Sequence, residues 1–588
     1  MSENAERSMN KRKRKKSFLK NARKYAKKGH FGCGSQLESD TYQYFVKIME
    51  VYREGFDNDD DKRVFVNNVF QQTEEQEIQC CCNQIGCRVI EMLLSFANDE
   101  VMKRYMECFS KDLRPLCSDK FASHVLEELV SQSYKRSIQN DNDEMKNVYR
   151  NFTLKISKYL LNNLEDFVWD IYGNHIIRTC LRSLANIPKE ESKTMNREKK
   201  VKLETEEYPL DPEYSDVIIE YGERILTWPQ FPDLCKSEKT SGLLQIILRA
   251  LHNVNSKLLK KYLKKLLNSC FAPDAEENPK QDVLLPVFLT TSSLMVLEVY
   301  IQVAPQKNFT QLYAKCFIGR LVKLAKIRNT NFAVQKLIMH CQEKSEFESI
   351  FDEMADHYQD IIKEGHTGVI WALAEGCKRF STKQGPFFNN ILKALNCFEP
   401  DDRQPHLILC LARMKTFEDN ISSHPNNEDL QKSRLNLHGT LILQILLEFN
   451  KPIKIVNNLL EMETKDLKNL FSNTMGSHIV DSYMKSAFVG EKSREKLVRK
   501  MKGTYQELAA TKFGSRSFEA IWNAAGLKHK MAILDELCYK DALWSNSEFG
   551  KIIANKIHLS LYKRSKEEWK HSFNKNDKVQ DLLLEITK

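Results

Sequence analysis

Along most of the chain, apolar residues come in adjacent pairs that recur four positions later, behind a short polar pair. In GSRSFEAIWN, 514–523, a helix at about 100° per residue puts Phe518, Ile521 and Trp522 on one side. Ser515 and Glu519 then lie one turn apart, with Arg516 beside them, as a polar edge. One side is built for burial and the other for presentation.

The same face recurs in GCRVIEMLLSFA (86–97), ASHVLEELV (122–130), GNHIIRTCLRSLA (173–185), NFAVQKLIMHC (331–341), GTLILQILLEF (439–449), GSHIVDSYM (476–484) and FGKIIANKIH (549–558). With the first polar position as marker, residues 87, 123, 294, 331, 367, 440, 477, 515 and 550 define a period of about 36 residues. Gaps of 123 to 174, 174 to 241 and 241 to 294 exceed one period by what read as surface insertions. The 367-to-440 gap is close to two periods and suggests a degenerate unit near 406–414. Eleven or twelve helical units of this length predict an all-α solenoid, because one unit cannot bury its apolar face alone.

At 588 residues the chain exceeds a single compact core, and 20 Gly with 15 Pro agree with a mostly helical array. No apolar run approaches the ~20 residues that span a bilayer, and the start lacks the apolar stretch of a secretory signal, so a soluble intracellular protein is expected. The sixteen cysteines are scattered. Their one cluster, Cys80, Cys81, Cys82 and Cys87, has no metal-site spacing and reads as reduced thiols.

The net charge of +10 lies in the first 28 residues, which hold twelve Lys and Arg against Glu3 and Glu6. Within them Lys11, Arg12, Lys13, Arg14, Lys15 and Lys16 form a run that fits a nuclear or nucleolar import signal. The expected organisation is a disordered basic leader over 1–38 and a repeat array over 39–320 with a charged insertion at 187–216. A second array over 321–565 and a capping tail over 566–588 follow.

Chemically, an Asn or Ser with a Gln or Glu one turn later can bracket a nucleobase edge. The residue beside the first offers a plane between bases: Arg88, His124, His175, Phe332, His478 and Arg516. Two units blur this face, Ser241-Gly242-Gln245 and Thr367-Gly368-Trp371, and a third places Leu294 and Met295 there, so these units are expected to have lost base contacts. Lysine clusters at 260–265 and 494–502 are candidate phosphate paths.

The strings GCRVIE, SHVLE, GNHIIR, NFAVQ, SHIVD and GSRSFE resemble the three-residue code of pumilio repeats. More narrowly, the unit number, the basic leader, MGSHIVDSYM, KFGSRSFEAIW and the closing GKIIANKI resemble the divergent nucleolar pumilio-like family of small-subunit ribosome biogenesis over residues 40–565. The resemblance implies a curved, U-shaped solenoid of about eleven three-helix repeats that binds pre-18S rRNA in the nucleolus and guards an immature processing site. It implies partners among small-subunit assembly factors, a monomer, no cofactor and no catalysis. Carried over by position, Cys87/Glu91, Ser123/Glu127 and Ser515/Glu519 resemble guanine-reading pairs, and Asn331/Gln335 a uracil-reading pair. Asn174 pairs with Arg178 and Ser477 with Asp481, both departures from the code, while Gly550 and Ala554 are blank. Discontinuous recognition with a guanine bias is therefore expected. A HEAT- or armadillo-like protein-binding solenoid and a cytoplasmic pumilio-type messenger RNA regulator remain open, and a nuclease lacks any paired-carboxylate or nucleophile motif.

Overall fold

The computed structural model describes residues 18–19, 21–24, 33–56, 58–188, 210–272, 284–422, 434–539 and 542–572. These are overwhelmingly helical, with no strand among the described residues beyond one isolated bridge, Gly34 to Asn83. No described helix is long and apolar enough to cross a membrane. The import run at 11–16, most of the 187–216 insertion and the tail beyond 572 lie outside the described residues.

The architecture is an all-α array of three-helix units, each a long first helix, a short second helix and a third helix that carries the repeated polar face. The first unit is Asp59–Gln71, Glu77–Cys81 and Gln84–Leu93, and the last is Leu527–Cys538, Ala542–Ser545 and Glu548–Lys556. Among the described residues there are eleven third helices. In the compact body ending at Asn308 they are α1 (Gln84–Leu93), α2 (Ala122–Gln139), α3 (Ile171–Leu184), α4 (Ser241–Val254) and α5 (Thr291–Val303). In the body beginning at Phe309 they are α6 (Asn331–His340), α7 (Thr367–Arg379), α8 (Leu437–Leu447), α9 (Ser477–Lys485), α10 (Lys512–Ala524) and α11 (Glu548–Lys556). Within each body consecutive third helices pack side by side.

Two expectations change. The 367-to-440 gap hides no twelfth unit: α7 packs directly on α8, and Leu407–Arg413 is the short second helix of the α8 unit. The extra length is an insertion around that short helix. The leader also contains structure, since residues 18–19 and 21–24 are helical. Leu19 and Ala22 are buried there, and Ala22 O accepts from Tyr42 Oη at 3.5 Å. Their apolar side chains find a surface on the helix Ser39–Glu54, which the basic composition of the leader concealed.

Packing follows the sequence pattern. Val89, Ile90 and Leu93 of α1, and Phe518, Ile521 and Trp522 of α10, are buried between neighbours. Each such side chain contributes about 1.5–3 kcal/mol relative to exposure. First helices are tied across units by buried tyrosines: Tyr221 Oη donates to Ser157 O at 2.8 Å, and Tyr262 Oη to Gly222 O at 2.7 Å. Burial raises the clustered thiols, Cys80 and Cys87 to about 12 and Cys82 to about 11, so they stay protonated at neutral pH. Among the described residues no group of His, Cys, Asp or Glu has a metal-holding arrangement.

The start of the third helix is set by one device. In α1, α3, α8, α10 and α11 a cap residue (Asn83, Asp170, Asn436, Thr511, Ser547) accepts from the N–H of a glycine three positions on. That glycine lets the preceding short helix come close. A Cβ on Gly550 would lie 2.1 Å from Trp544 O. At Thr240 and Thr330 the hydroxyl instead donates to the corresponding carbonyl, Leu234 O at 2.9 Å and Leu324 O at 2.6 Å. The residue after this position is the first position of the repeated polar face, so helix start and reading register are locked together.

Candidate nucleic-acid interface

Counted from the cap, the three positions of the face fall on Cys87, Arg88 and Glu91 in α1, and on Ser515, Arg516 and Glu519 in α10, as the sequence predicts. In α11 the marker slips by one. Gly550 is the capped glycine, so the three positions are Lys551, Ile552 and Asn555, with Ile552 55% exposed. The blank pair Gly550 and Ala554 is therefore replaced by a cation, an apolar side chain and an amide. The cap-x-x-Gly spacing, Ser547 to Gly550 against Thr511 to Gly514, was the signal in the sequence.

First-position side chains form the floor of the face. Cys87, Ser123, Asn174, Asn331 and Ser477 are buried, and only Ser515 in this set is half-exposed. Cys87 Sγ–H donates to Phe121 O at 3.0 Å, Asn174 Nδ2 to Val168 O at 2.7 Å, and Ser477 Oγ to Thr474 O at 3.4 Å. Asn331 Nδ2 donates to Arg328 O at 2.6 Å and to Ile327 O at 3.2 Å. Ser515 Oγ donates to Lys512 O at 3.0 Å. Ser123 Oγ and Asn174 Oδ1 are buried with no hydrogen-bond partner, acceptors that a donor entering the face can satisfy.

Second positions are the presented ones. Arg88, His124, His175, Phe332 and Arg516 are exposed, Phe332 by 54%, and His478 is half-exposed. Desolvation of the inner side of the ring, then the Arg178 charge, lowers the His175 pKa, so this imidazole is neutral at pH 7 and presents an uncharged plane. The Arg88 guanidinium lies 3.9 Å from the centre of the Phe18 ring, so the leader helix already stacks on the first plane of the array.

Third positions reach across to the next unit. Glu127 accepts from Thr179 Oγ1 at 3.0 Å and faces His124 Nδ1 at 3.8 Å. Asp481 accepts from Arg516 Nε at 2.9 Å, and Glu519 pairs with Lys556 at 3.0 Å. Gln335 Nε2 donates to Asn331 Oδ1 at 2.8 Å. Arg516 in the Asp481–Arg516 pair is half in solvent, and the pair contributes only about 0–1 kcal/mol. Glu91 stands exposed beside Arg88.

At the degenerate units the slots are filled by protein. A Cβ on Gly242 would lie 2.7 Å from Arg178 Cζ, and one on Gly368 2.6 Å from Gln335 Oε1. Each glycine thus receives the third-position side chain of the preceding unit. Trp371 stacks on the His438 ring at 5.9 Å and 28°, and His438 Nδ1 is 2.9 Å from Thr367 Oγ1. Exposed Met295 and half-buried Leu441 stand where planes stand elsewhere.

Around the faces the surface is concave. In the first body a cavity of about 790 Å³ is lined by Cys87, Arg88, Glu91, Lys120 and His124. In the second, one of about 590 Å³ is lined by Gln444, His478, Asp481 and Arg516 among others. The lysine clusters expected to carry phosphates lie on the first helices Ser256–Leu266 and Glu491–Lys500. Lys265 there is engaged with Leu226 O at 2.6 Å, and Arg494 with Ser486 O at 2.6 Å.

Three-helix units, six of whose third helices present one plane each beside hydrogen-bonding groups, define an RNA-binding solenoid of the pumilio-repeat type. The chain belongs to the NOP9-like PUF repeat domain family, which it matches over residues 75–552. Among similar proteins, Nucleolar protein 9 of Mus musculus is 23% identical over 564 residues, covering 91% of this chain and 88% of the relative. Nucleolar protein 9 of Homo sapiens is 22% identical over 569 residues with the same coverage, and Pumilio homolog 23 of Arabidopsis thaliana 20% identical, covering 91% and 73%. A solved structure of APUM23 with GGAGUUGACGG superposes with a TM-score of 0.70 at 18% identity, over 91% of this chain and 99% of that one, which fixes the fold. The protein is nucleolar, with RNA as its partner in ribosome biogenesis.

Proposed function

We propose that this chain binds pre-18S rRNA discontinuously during small-subunit assembly, guarding an immature processing site without cutting it. The observation that carries the reading is the alternation of open and filled slots. Planes stand open on α2, α3, α6, α9 and α10, and Phe18 stacks on the plane of α1, whereas Arg178 covers Gly242, Gln335 covers Gly368 and His438 covers Trp371. A strand following this face is read in blocks, with unread nucleotides passing the filled slots. Acidic third positions give the reading a guanine bias in α1, α2 and α10, since a carboxylate accepts from the guanine edge. The guanine-containing strand held by APUM23 supports the same direction.

Across the described faces the acids at third positions come one per unit, at Glu91, Glu127, Asp481 and Glu519. Neighbouring helix axes stand about 8–10 Å apart, so one acid per unit does not hold two ions ~4 Å apart. Crosslinking and sequencing of RNA bound in cells tests the proposal. Enrichment at a few discrete pre-18S positions is expected; dispersed messenger RNA sites sharing one short motif would reject it in favour of a messenger RNA regulator.

Base reading has its own test at α10. Arg516→Ala with Glu519→Ala should weaken binding to a guanine-containing target by about 1–3 kcal/mol and change unrelated RNA little. Equal losses on both RNAs in a titration would reject readout at this unit.

A further inference from the structure

The cavity of about 590 Å³ in the second body extends beyond the positions that face a base. Past His478, Asp481 and Arg516 it runs to the end of α9, where it is walled by Lys485, Phe488 and Asn450. Its size falls in the ~300–1,000 Å³ range of sites that take a small organic group. Phe488 is 48% exposed on the loop that follows α9.

The loop that carries it is held rigidly. Ser486 Oγ donates to Leu447 O at the end of α8 at 2.7 Å and accepts from Phe488 N at 3.1 Å. Arg494 Nη2 donates to Ser486 O at 2.6 Å. The ring is therefore presented by a pinned backbone, so little ordering entropy is lost when something stacks on it. Lys485, one helical turn past Asp481, is exposed and carries no ion pair among the described residues. Lys378, on the opposite wall, is neutralised by Glu448. The cavity thus offers one open cation, one open aromatic face and an exposed amide, Asn450, continuous with the open slots of α9 and α10.

We propose that this cavity holds a nucleotide turned out of the RNA strand, its base stacked on Phe488 and its phosphate on Lys485. The assignment rests on the RNA-reading proposal for α9 and α10. It gives the discontinuous path a physical receiver, because a nucleotide that no slot reads needs a place to go. Stacking on a ring tolerates any base, while the Asn450 amide adds a hydrogen-bonding edge.

The test uses the full chain and an RNA taken from its crosslinked site, with 2-aminopurine at successive positions across the α9–α10 footprint. One position should be quenched when bound, and Phe488→Ala should restore its fluorescence. Phe488→Ala should weaken affinity about 5- to 100-fold, Phe488→Tyr should keep it, and Lys485→Ala should weaken it several-fold with a shallower salt dependence. Both side chains are exposed, and unchanged melting verifies folding. If Phe488→Ala and Lys485→Ala bind like the natural chain while Arg516→Ala with Glu519→Ala loses affinity, the cavity does not receive a nucleotide and the face reading stands. Loss of that affinity in none of the variants overturns both.

Discussion

Phe332→Ala combined with His478→Ala is expected to weaken binding to the crosslinked target by roughly 2–6 kcal/mol, the sum of two lost stacking platforms. The two planes stand on α6 and α9, separated by α7 and α8. Phe332 has no polar group, so its loss cannot act through a hydrogen bond, and at 54% exposure it does not support the core. Phe332→Tyr should therefore bind like the natural chain. Fluorescence anisotropy with each single variant and the double gives the additivity directly. A double no weaker than its weaker single would mean that one strand does not engage α6 and α9 together, and the discontinuous path would be rejected. Equal losses of both variants on a homopolymer would instead assign these planes to sequence-independent grip.

The apolar pattern made most of this fold legible, because burial acts within a unit. Phe518, Ile521 and Trp522 are spaced for one helix side and lie in the core. Positions Arg88, His124, Phe332 and Arg516 were equally legible as presented planes, since an exposed residue between two buried pairs has nowhere else to point. What escaped notice depends on contacts between units. Nothing in SGLLQ signals that Arg178, many residues earlier, lies over Gly242, nor in HTGVIW that Gln335 lies over Gly368. The basic leader hid Phe18, whose ring meets Arg88. The slip at Gly550 arose because a small residue can be either the first position or the capped glycine before it; the Ser547 cap three residues earlier marks it as the capped glycine, and its close approach to the Trp544 carbonyl agrees.

Gly476→Val should be strongly destabilising on the reading face. A Cβ here would stand 2.0 Å from Leu470 O, a backbone atom of the short helix Thr464–Phe471, and no side-chain rotation relieves that. Either the short helix moves away or α9 starts elsewhere. Overpacking of this kind costs about 1–3 kcal/mol, and a β-branched residue at a helix start with no room lies at the upper end or beyond. Melting should fall by several degrees, with the loss concentrated in the α9 unit and its neighbours because a solenoid is stabilised by nearest-neighbour contacts. A substitution at Asn473 separates the causes. Asn473 accepts from Met475 N at 2.9 Å in the turn before α9, and Asn473→Ala, which removes that bond without adding volume, should cost only about 0.5–1.5 kcal/mol. Ser477, His478 and Asp481 ride on the same helix start, so Gly476→Val should also reduce RNA affinity at temperatures where the chain is still folded, whereas Asn473→Ala should leave more of it. Hydrogen exchange confined to the α9 unit, with affinity lost in step, would establish that one missing Cβ sets both the packing and the reading register. A valine variant that melts and binds like the natural chain would show that the close approach to Leu470 is not what fixes α9.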